Sequence, residues 1–203
     1  PDMRTPEEAR SYLTKLHSII QYLGVSTANA QDGSFRCDAN ISLRPMGQEE
    51  YGTKAEIKNM NSMRSVFLAL NHEIERQKNV LDSGERVIQE TRGWSEGRNA
   101  TYSQRSKEEA HDYRYFPEPD LPPLAVDRAW VEEIRSKIPE LPADRLNGLM
   151  DEYGLPEYDA RLLTSSKAMA DYYEQAVGTR TASDGKDQKF AKDVSNWILG
   201  DLS

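Results

Sequence analysis

The 203-residue sequence contains a single cysteine, Cys37. An internal disulfide needs a second thiol, and a lone thiol also excludes a cysteine-rich zinc site. No apolar run approaches the roughly 20 residues that a membrane-spanning helix needs. The first residues do not form a charged-then-apolar signal segment. These absences predict a protein of the reducing cytoplasm with no membrane association.

Basic charge is also scarce, because 26 lysines and arginines face 34 acidic residues and the formal net charge is −8. This balance argues against a protein that coats nucleic acid non-specifically. Any contact with RNA must therefore use a local patch or a neighbouring subunit. The sequence also lacks a P-loop, a Rossmann glycine pattern and an HExxH motif, and its histidines are scattered.

Hydrophobic periodicity predicts an α+β fold for the first part of the chain. Apolar residues recur at three- and four-residue steps over 6–23 and 62–82, which predicts two helices. Alternation of apolar and polar residues predicts three strands, over 36–44, 53–59 and 86–94. Two helices packed on an antiparallel sheet are the expected architecture.

The second part of the chain is predicted to be an all-α helical domain. Prolines at 117, 119, 122 and 123 separate it from the first part. Helices are expected over 127–137, 142–153, 156–164, 166–177 and 187–199. The predicted division is therefore 1–122 and 123–203, with a mobile segment at 178–187.

The predicted strands carry a polar face with charges of both signs. Its members are Arg36, Asp38, Asn40, Lys54, Glu56, Lys58, Glu90 and Arg92. One interpretation is the solvated side of an antiparallel sheet, and the pattern alone favours it. The alternative is a concave floor in which Asp38 and Glu56 hold Mg²⁺ and the basic residues neutralise phosphate.

Two further segments also allow a structural and a functional interpretation. Asn61 or Ser62 is expected to cap the second helix, although a helix N-terminus also binds anions. The aromatic and proline-rich loop at 112–120 is either a packing strap or a substrate-binding loop that uses Arg114 and Tyr113. The sequence pattern alone does not distinguish a packing strap from a substrate-binding loop at 112–120.

Longer motifs resemble one family, the B subunit of the tRNA-dependent amidotransferase. They are SFRCDANISLRP at 34–45, GTKAEIKNMNS at 52–62, QETR at 89–92 and DYRYFPEPD at 112–120, in that order. The resemblance covers essentially the whole chain. It implies an internal fragment: the C-terminal half of a cradle-like catalytic domain followed by a helical domain.

The resemblance implies a chemistry for the polar face. The family's B subunit uses ATP and Mg²⁺ to phosphorylate the side-chain carboxylate of Glu-tRNA(Gln) or Asp-tRNA(Asn). Ammonia channelled from an amidase A subunit then displaces phosphate, and a small C subunit completes the complex. The resemblance assigns Mg²⁺ to Asp38 and Glu56, with Lys58 as a further catalytic residue. Residues expected around the phosphates or the substrate are Arg36, Lys54, Asn59, Arg92, Arg114 and Tyr113.

The resemblance also limits what this chain is expected to do alone. The N-terminal half of the cradle, which should supply further metal ligands, and the C-terminal tail domain lie outside it. The isolated chain is therefore expected to be inactive. The alternatives are a tRNA-binding or subunit-assembly module, with catalysis supplied elsewhere, and a scaffold for the amidase subunit.

Overall fold

The computed structural model describes residues 2–106, 119–184, 187–200 and 202. The chain folds into two compact units. The first comprises Pro1–Lys15 and Asn29–Leu124, and the second comprises Leu16–Ala28 and Ala125–Ser203. The second unit thus includes residues 16–28, which the sequence-based boundary at 122 and 123 assigned to the first domain.

The first unit is built around a sheet and one long helix. Its elements after α1 (Pro6–Leu23) are β1 (Ala39–Ile41), β2 (Ala55–Lys58), α2 (Met63–Asp82), β3 (Glu90–Ser95) and β4 (Ala100–Ser106). In the described part of the chain these strands form a four-stranded sheet in the order β1-β2-β3-β4. With the helices that follow, this confirms the predicted α+β class.

The sheet is mixed rather than purely antiparallel, so the predicted architecture is wrong in that detail. β1 pairs antiparallel with β2, and β3 pairs antiparallel with β4. The central pair, β2 and β3, is parallel. Parallel neighbours need a long crossover connection, and α2 supplies it between the two strands.

The strand boundaries also differ from the predicted ones. β1 covers only Ala39–Ile41, the residues that pair with Ile57, Glu56 and Ala55 of β2. β4 was not predicted at all. A turn over residues 96–99, in which Asn99 takes a left-handed φ of 52°, folds it back on β3.

Local signals fix the helix starts where the sequence predicts them. At α1 the Thr5 hydroxyl accepts from the Glu8 amide, and the Glu8 carboxylate accepts from the Thr5 amide, which is a capping box. At α2 the cap is Ser62, whose hydroxyl accepts from the Ser65 amide. The capping interpretation of this segment is therefore confirmed.

Apolar side chains between α2 and the sheet form the core of the first unit. Ile57 on β2 and Trp94 on β3 meet Val66, Ala69 and Leu70 of α2. Ala55 and Ile57 are fully buried, whereas Glu56 and Lys58 between them are not. The alternation predicted for β2 is thus confirmed, and it defines a core face and a polar face of the sheet.

The second unit contains the remaining helices. They are α3 (Arg128–Ser136), α4 (Pro142–Tyr153), α5 (Glu157–Leu163), α6 (Lys167–Asp184) and α7 (Gln188–Gly200). The predicted end of α6 at 177 is wrong, because Tyr173 and Val177 are buried in the core and the helix continues beyond them. Within the described part of the chain, none of the helices combines the length and apolar character that crossing a bilayer requires.

Polar contacts explain why residues 16–28 belong to the helical unit. Tyr22 is almost fully buried and donates its hydroxyl to the carbonyl of Thr164. Arg145 is buried in the same unit and binds both oxygens of Glu174 and one oxygen of Asp171. Hydrogen-bonded pairing of this kind allows a guanidinium to be buried.

A network of charged residues lies between α2 and the core face of the sheet. Glu73 is fully buried and accepts hydrogen bonds from Arg76, Gln77 and Thr101. Arg92 of β3 lies 3.3 Å from Glu73 Oε2. Burial alone raises the pKa of Glu73, but the hydrogen bonds from Arg76 and Gln77 outweigh it, so the pKa lies below its usual 4.5.

We expect Glu73→Gln to lower the free energy of unfolding at neutral pH by about 3 kcal/mol, because it removes the fully buried carboxylate that binds Arg76 and Arg92. A depressed folded-state pKa stabilises the protein fully above pH 4.5, and that stability is lost as the pH falls through the folded value. The variant should therefore lose less stability than the wild type on acidification. Urea unfolding at neutral pH and at about pH 3 measures both effects.

The matched control is Glu75→Gln, which neutralises an exposed carboxylate on the same helix. It should leave the free energy of unfolding within about 0.5 kcal/mol of the wild type. Equal losses in the two variants would show that the buried network contributes nothing specific.

Candidate functional site

The polar face of the sheet, opposite α2, is the candidate functional site. Register places Asn40 of β1 and Thr91 of β3 on either side of Glu56. The next row pairs Lys58 with Gly93. Because paired residues point to the same side of a sheet, these positions share one face.

A lysine connects two carboxylates on this face. Lys58 Nζ lies 2.7 Å from Asp38 Oδ2 and 3.4 Å from Glu56 Oε1. The hydrogen bond to Asp38 is the main reason why the pKa of Lys58 is raised. The three side chains remain partly accessible, so ligands can reach both the carboxylates and the ammonium.

Glu56 is also held by a residue that the sequence reasoning did not select. The Thr91 hydroxyl donates to Glu56 Oε2 over 3.0 Å. Thr91 is only 7% exposed. Its position inside the QETR motif was available from the sequence, but its contact with Glu56 depends on the parallel pairing of β2 and β3.

A cavity of about 450 Å³ opens beside the carboxylate pair. Residues 30–33 and 35–38 form one wall and residues 58–61 form another, and the lining includes Arg36, Asp38, Lys58 and Asn59. Asn59 takes a left-handed φ of 64°, a conformation that asparagine adopts more readily than most residues. The cavity therefore gathers predicted site residues from two distant motifs.

The cysteine contributes an uncharged group to this cavity. Burial raises the pKa of the Cys37 thiol, and the negative charge of Asp38 raises it further. A thiol with a raised pKa stays protonated at neutral pH and is a poor nucleophile. Cys37 thus lines the cavity with a thiol whose raised pKa disfavours the thiolate.

Gly93 marks a close approach on the same face. A Cβ atom at this position would lie 2.6 Å from Gln104 Nε2 and 2.7 Å from Tyr102 Cζ. A side chain at this position would displace Tyr102 and Gln104 of β4 from their places over β3. Tyr102 and Gln104 border the polar face. They were not predicted as site residues, because β4 itself was not predicted.

The structure corrects the membership of the polar face. Glu90 and Arg92 lie on the opposite, core face, where Arg92 binds Glu90 and Thr101 and is 9% exposed. Thr91, and not Arg92, pairs with Glu56. Arg92 pairs with Ile57 and therefore points to the core face. Arg92 therefore does not line the site for which it was predicted.

The other predicted residues fall into three groups. Arg36, Asp38, Lys58 and Asn59 line the cavity, and Glu56 adjoins it through Lys58. Lys54 is exposed just before β2 begins and is not part of the cavity lining. Arg114 and Tyr113 lie outside the described residues.

The donor set is compatible with a hard divalent cation. Among the residues that the structure describes, no group of three or more His, Cys, Asp or Glu side chains is placed to hold a metal ion. Mg²⁺, however, commonly uses one or two protein carboxylates and completes its shell with water and phosphate oxygens. Asp38 and Glu56 fit that role, provided that Lys58 yields part of its contact with them.

The structure thus places a charged, accessible sheet face beside a cavity in an α+β unit, which a helical unit follows along the chain. Comparison with known proteins identifies the class more closely. The family described as the GatB/GatE catalytic domain matches residues 1–132. The chain belongs to this family.

Curated relatives resemble the whole chain. It is 56% identical over 203 residues to the B subunit of the aspartyl/glutamyl-tRNA(Asn/Gln) amidotransferase from Dehalococcoides mccartyi (strain CBDB1), and covers 41% of that relative. The B subunits of the same name from Carboxydothermus hydrogenoformans and Moorella thermoacetica are 55% and 53% identical over 202 residues, with 40% and 41% covered. The chain thus spans about two-fifths of the length of these relatives.

We expect Asp38→Asn to lower the pKa of Lys58 more than Glu56→Gln does, because Asp38 makes the shorter contact and contributes most to the raised value. Reductive ¹³C-methylation of the lysines followed by an NMR pH titration measures the Lys58 pKa in each variant. A larger decrease in Glu56→Gln would show that Glu56, and not Asp38, is the main partner of the ammonium.

Proposed function

We propose that this chain is part of the B subunit of a tRNA-dependent amidotransferase and that its polar face serves ATP-dependent activation of a carboxylate. The substrate is the side-chain carboxylate of Glu-tRNA(Gln) or Asp-tRNA(Asn). The observation that carries the proposal is the shared contact of Lys58 with Asp38 and Glu56 beside the cavity. The names of the relatives support the choice of substrate.

The proposed reaction has two steps. An oxygen of the substrate carboxylate attacks the γ-phosphorus of ATP, the bond from that phosphorus to the β,γ-bridging oxygen breaks, and ADP leaves. Ammonia then attacks the acyl carbon, the bond from carbon to the phosphoryl oxygen breaks, and phosphate leaves as the nitrogen loses a proton. Activation is needed because an unmodified carboxylate has no good leaving group.

The residues of the polar face have separate roles in this proposal. Asp38 and Glu56 would hold Mg²⁺, which when bound neutralises charge on the phosphates. Lys58 already contacts both carboxylates, and its ammonium would bind a phosphoryl oxygen once the cation shares them. None of these residues acts as a covalent nucleophile.

The cavity offers a place for the reacting groups. Arg36 lines it with a guanidinium, a group that binds phosphate or carboxylate oxygens in bidentate fashion, and Asn59 adds an amide. We retain Lys54, Arg114 and Tyr113 as proposed substrate contacts on the family resemblance alone. We do not retain Arg92, because its contacts with Glu73, Glu90 and Thr101 already engage its guanidinium on the core face.

The proposal includes the partners that the reaction requires. An amidase A subunit supplies ammonia, a small C subunit completes the complex, and mischarged tRNA(Gln) or tRNA(Asn) is the substrate. The net charge of −8 opposes the approach of a polyanion. Binding of tRNA to the complex should therefore depend on local basic residues and weaken steeply as salt increases.

We expect Glu56→Gln to abolish tRNA-dependent ATP cleavage by the complete complex, because an amide cannot provide the negative charge that a divalent cation requires. Single-turnover release of phosphate from ATP, with mischarged tRNA, measures this step. Glutaminase activity and tRNA binding, assayed in parallel, should be unchanged.

The matched control is Glu50→Gln, which makes the same substitution at an exposed position in the connection between β1 and β2. It should cleave ATP at the wild-type rate. Normal cleavage by Glu56→Gln would refute the proposed activation site. The fragment would then be a tRNA-binding, assembly or scaffold module whose chemistry resides elsewhere.

A further inference from the structure

We propose that Thr91 is a positioning residue that orients the Glu56 carboxylate toward Asp38 and Lys58. This inference rests on the proposed function, because it assigns a role to Thr91 in the same site. Thr91 itself need not contact the substrate or the cation. Its effect would pass through Glu56.

The two oxygens of Glu56 have different neighbours, and this difference carries the proposal. Oε2 accepts the Thr91 hydroxyl hydrogen bond over 3.0 Å. Oε1 lies 3.4 Å from Lys58 Nζ, which also binds Asp38. With Oε2 bound to Thr91, rotation of the carboxylate is restricted and Oε1 is directed toward the other charged groups of the site.

Thr91 is well placed to hold one orientation. It pairs directly with Glu56 in the parallel ladder, so the two side chains leave the sheet side by side. It is 7% exposed, and a buried β-branched side chain has few accessible rotamers. Its hydroxyl is therefore a fixed donor rather than a mobile surface group.

The opposite face of the sheet fixes the strand that carries Thr91. The next residue, Arg92, is bound on the core side by Glu73 of α2 and by Thr101 of β4. Trp94 of the same strand is buried against α2. β3 is thus anchored on its core face while Thr91 presents its hydroxyl on the polar face.

Loss of the hydroxyl should weaken the binding of a cation more than it weakens the fold. Partners that orient a metal-binding carboxylate typically account for roughly 10-fold or more in metal affinity or activity. Thr91→Val keeps the shape of the side chain and removes the donor, so that Glu56 can rotate. Thr91→Ser keeps the donor.

The test uses the complete complex and two readouts. The first is the dissociation constant of Mn²⁺ alone, measured by electron paramagnetic resonance without ATP. The second is the Mg²⁺ concentration that gives half-maximal tRNA-dependent ATP cleavage. We expect Thr91→Val to raise both by roughly 10-fold and Thr91→Ser to restore both to within about 2-fold of the wild type.

Thr164→Val is the matched control, because it makes the same substitution at a buried threonine of the helical unit, whose hydroxyl donates to the carbonyl of Ala160. It should lower the melting temperature without changing the Mn²⁺ dissociation constant. Wild-type Mn²⁺ affinity in Thr91→Val would overturn the inference. Equal loss of affinity in Thr164→Val and Thr91→Val would also overturn it, because the effect would then follow stability.

Glu56→Gln separates this inference from the proposed function. If Glu56→Gln loses Mn²⁺ binding while Thr91→Val retains it, the site stands and only the role of Thr91 is refuted. If Glu56→Gln itself binds Mn²⁺ as the wild type does, the proposed cation site fails and the inference fails with it.

Discussion

Parallel pairing between β2 and β3 sets Glu56 beside Thr91 and Lys58 beside Gly93. A slip of one residue would turn Glu56 away from Thr91 and bring charged Arg92 into contact with it. The crossover helix α2 makes this pairing possible, and the contact between Glu73 and Arg92 joins that helix to β3. The geometry of the candidate site therefore depends on an alignment that is secured on the other side of the sheet.

The two faces of the sheet use similar residues for different purposes. On the core face, Glu73 and Arg92 are buried and held by several hydrogen bonds, so exchanging their partners for a ligand would leave a charge uncompensated. On the polar face, Asp38 and Lys58 remain accessible and can exchange theirs. Depth of burial, rather than residue type, separates the structural ion pairs from the candidate functional ones.

The acidic character of the chain gives the few basic residues of the cavity a particular importance. A net charge of −8 repels phosphate-bearing ligands at long range, whereas Arg36 and Lys58 attract them at short range. Such an arrangement favours ligands that reach the cavity itself over polyanions that bind anywhere on the surface. The proposed action on one end of a tRNA, with partner subunits providing the remaining contacts, would use such an arrangement.

The helix starts, the class of fold and the two motifs that line the cavity are predictable from the sequence, because capping boxes, apolar periodicity and motif spacing are local properties. Thr5 with Glu8, and the alternation around Ile57, are examples. The strand β4, the parallel pairing of β3 with β2, and the position of Thr91 rather than Arg92 beside Glu56 all depend on tertiary contacts. A strand carries no local record of its partner, so its register and exposed face are fixed by contacts between residues distant in sequence.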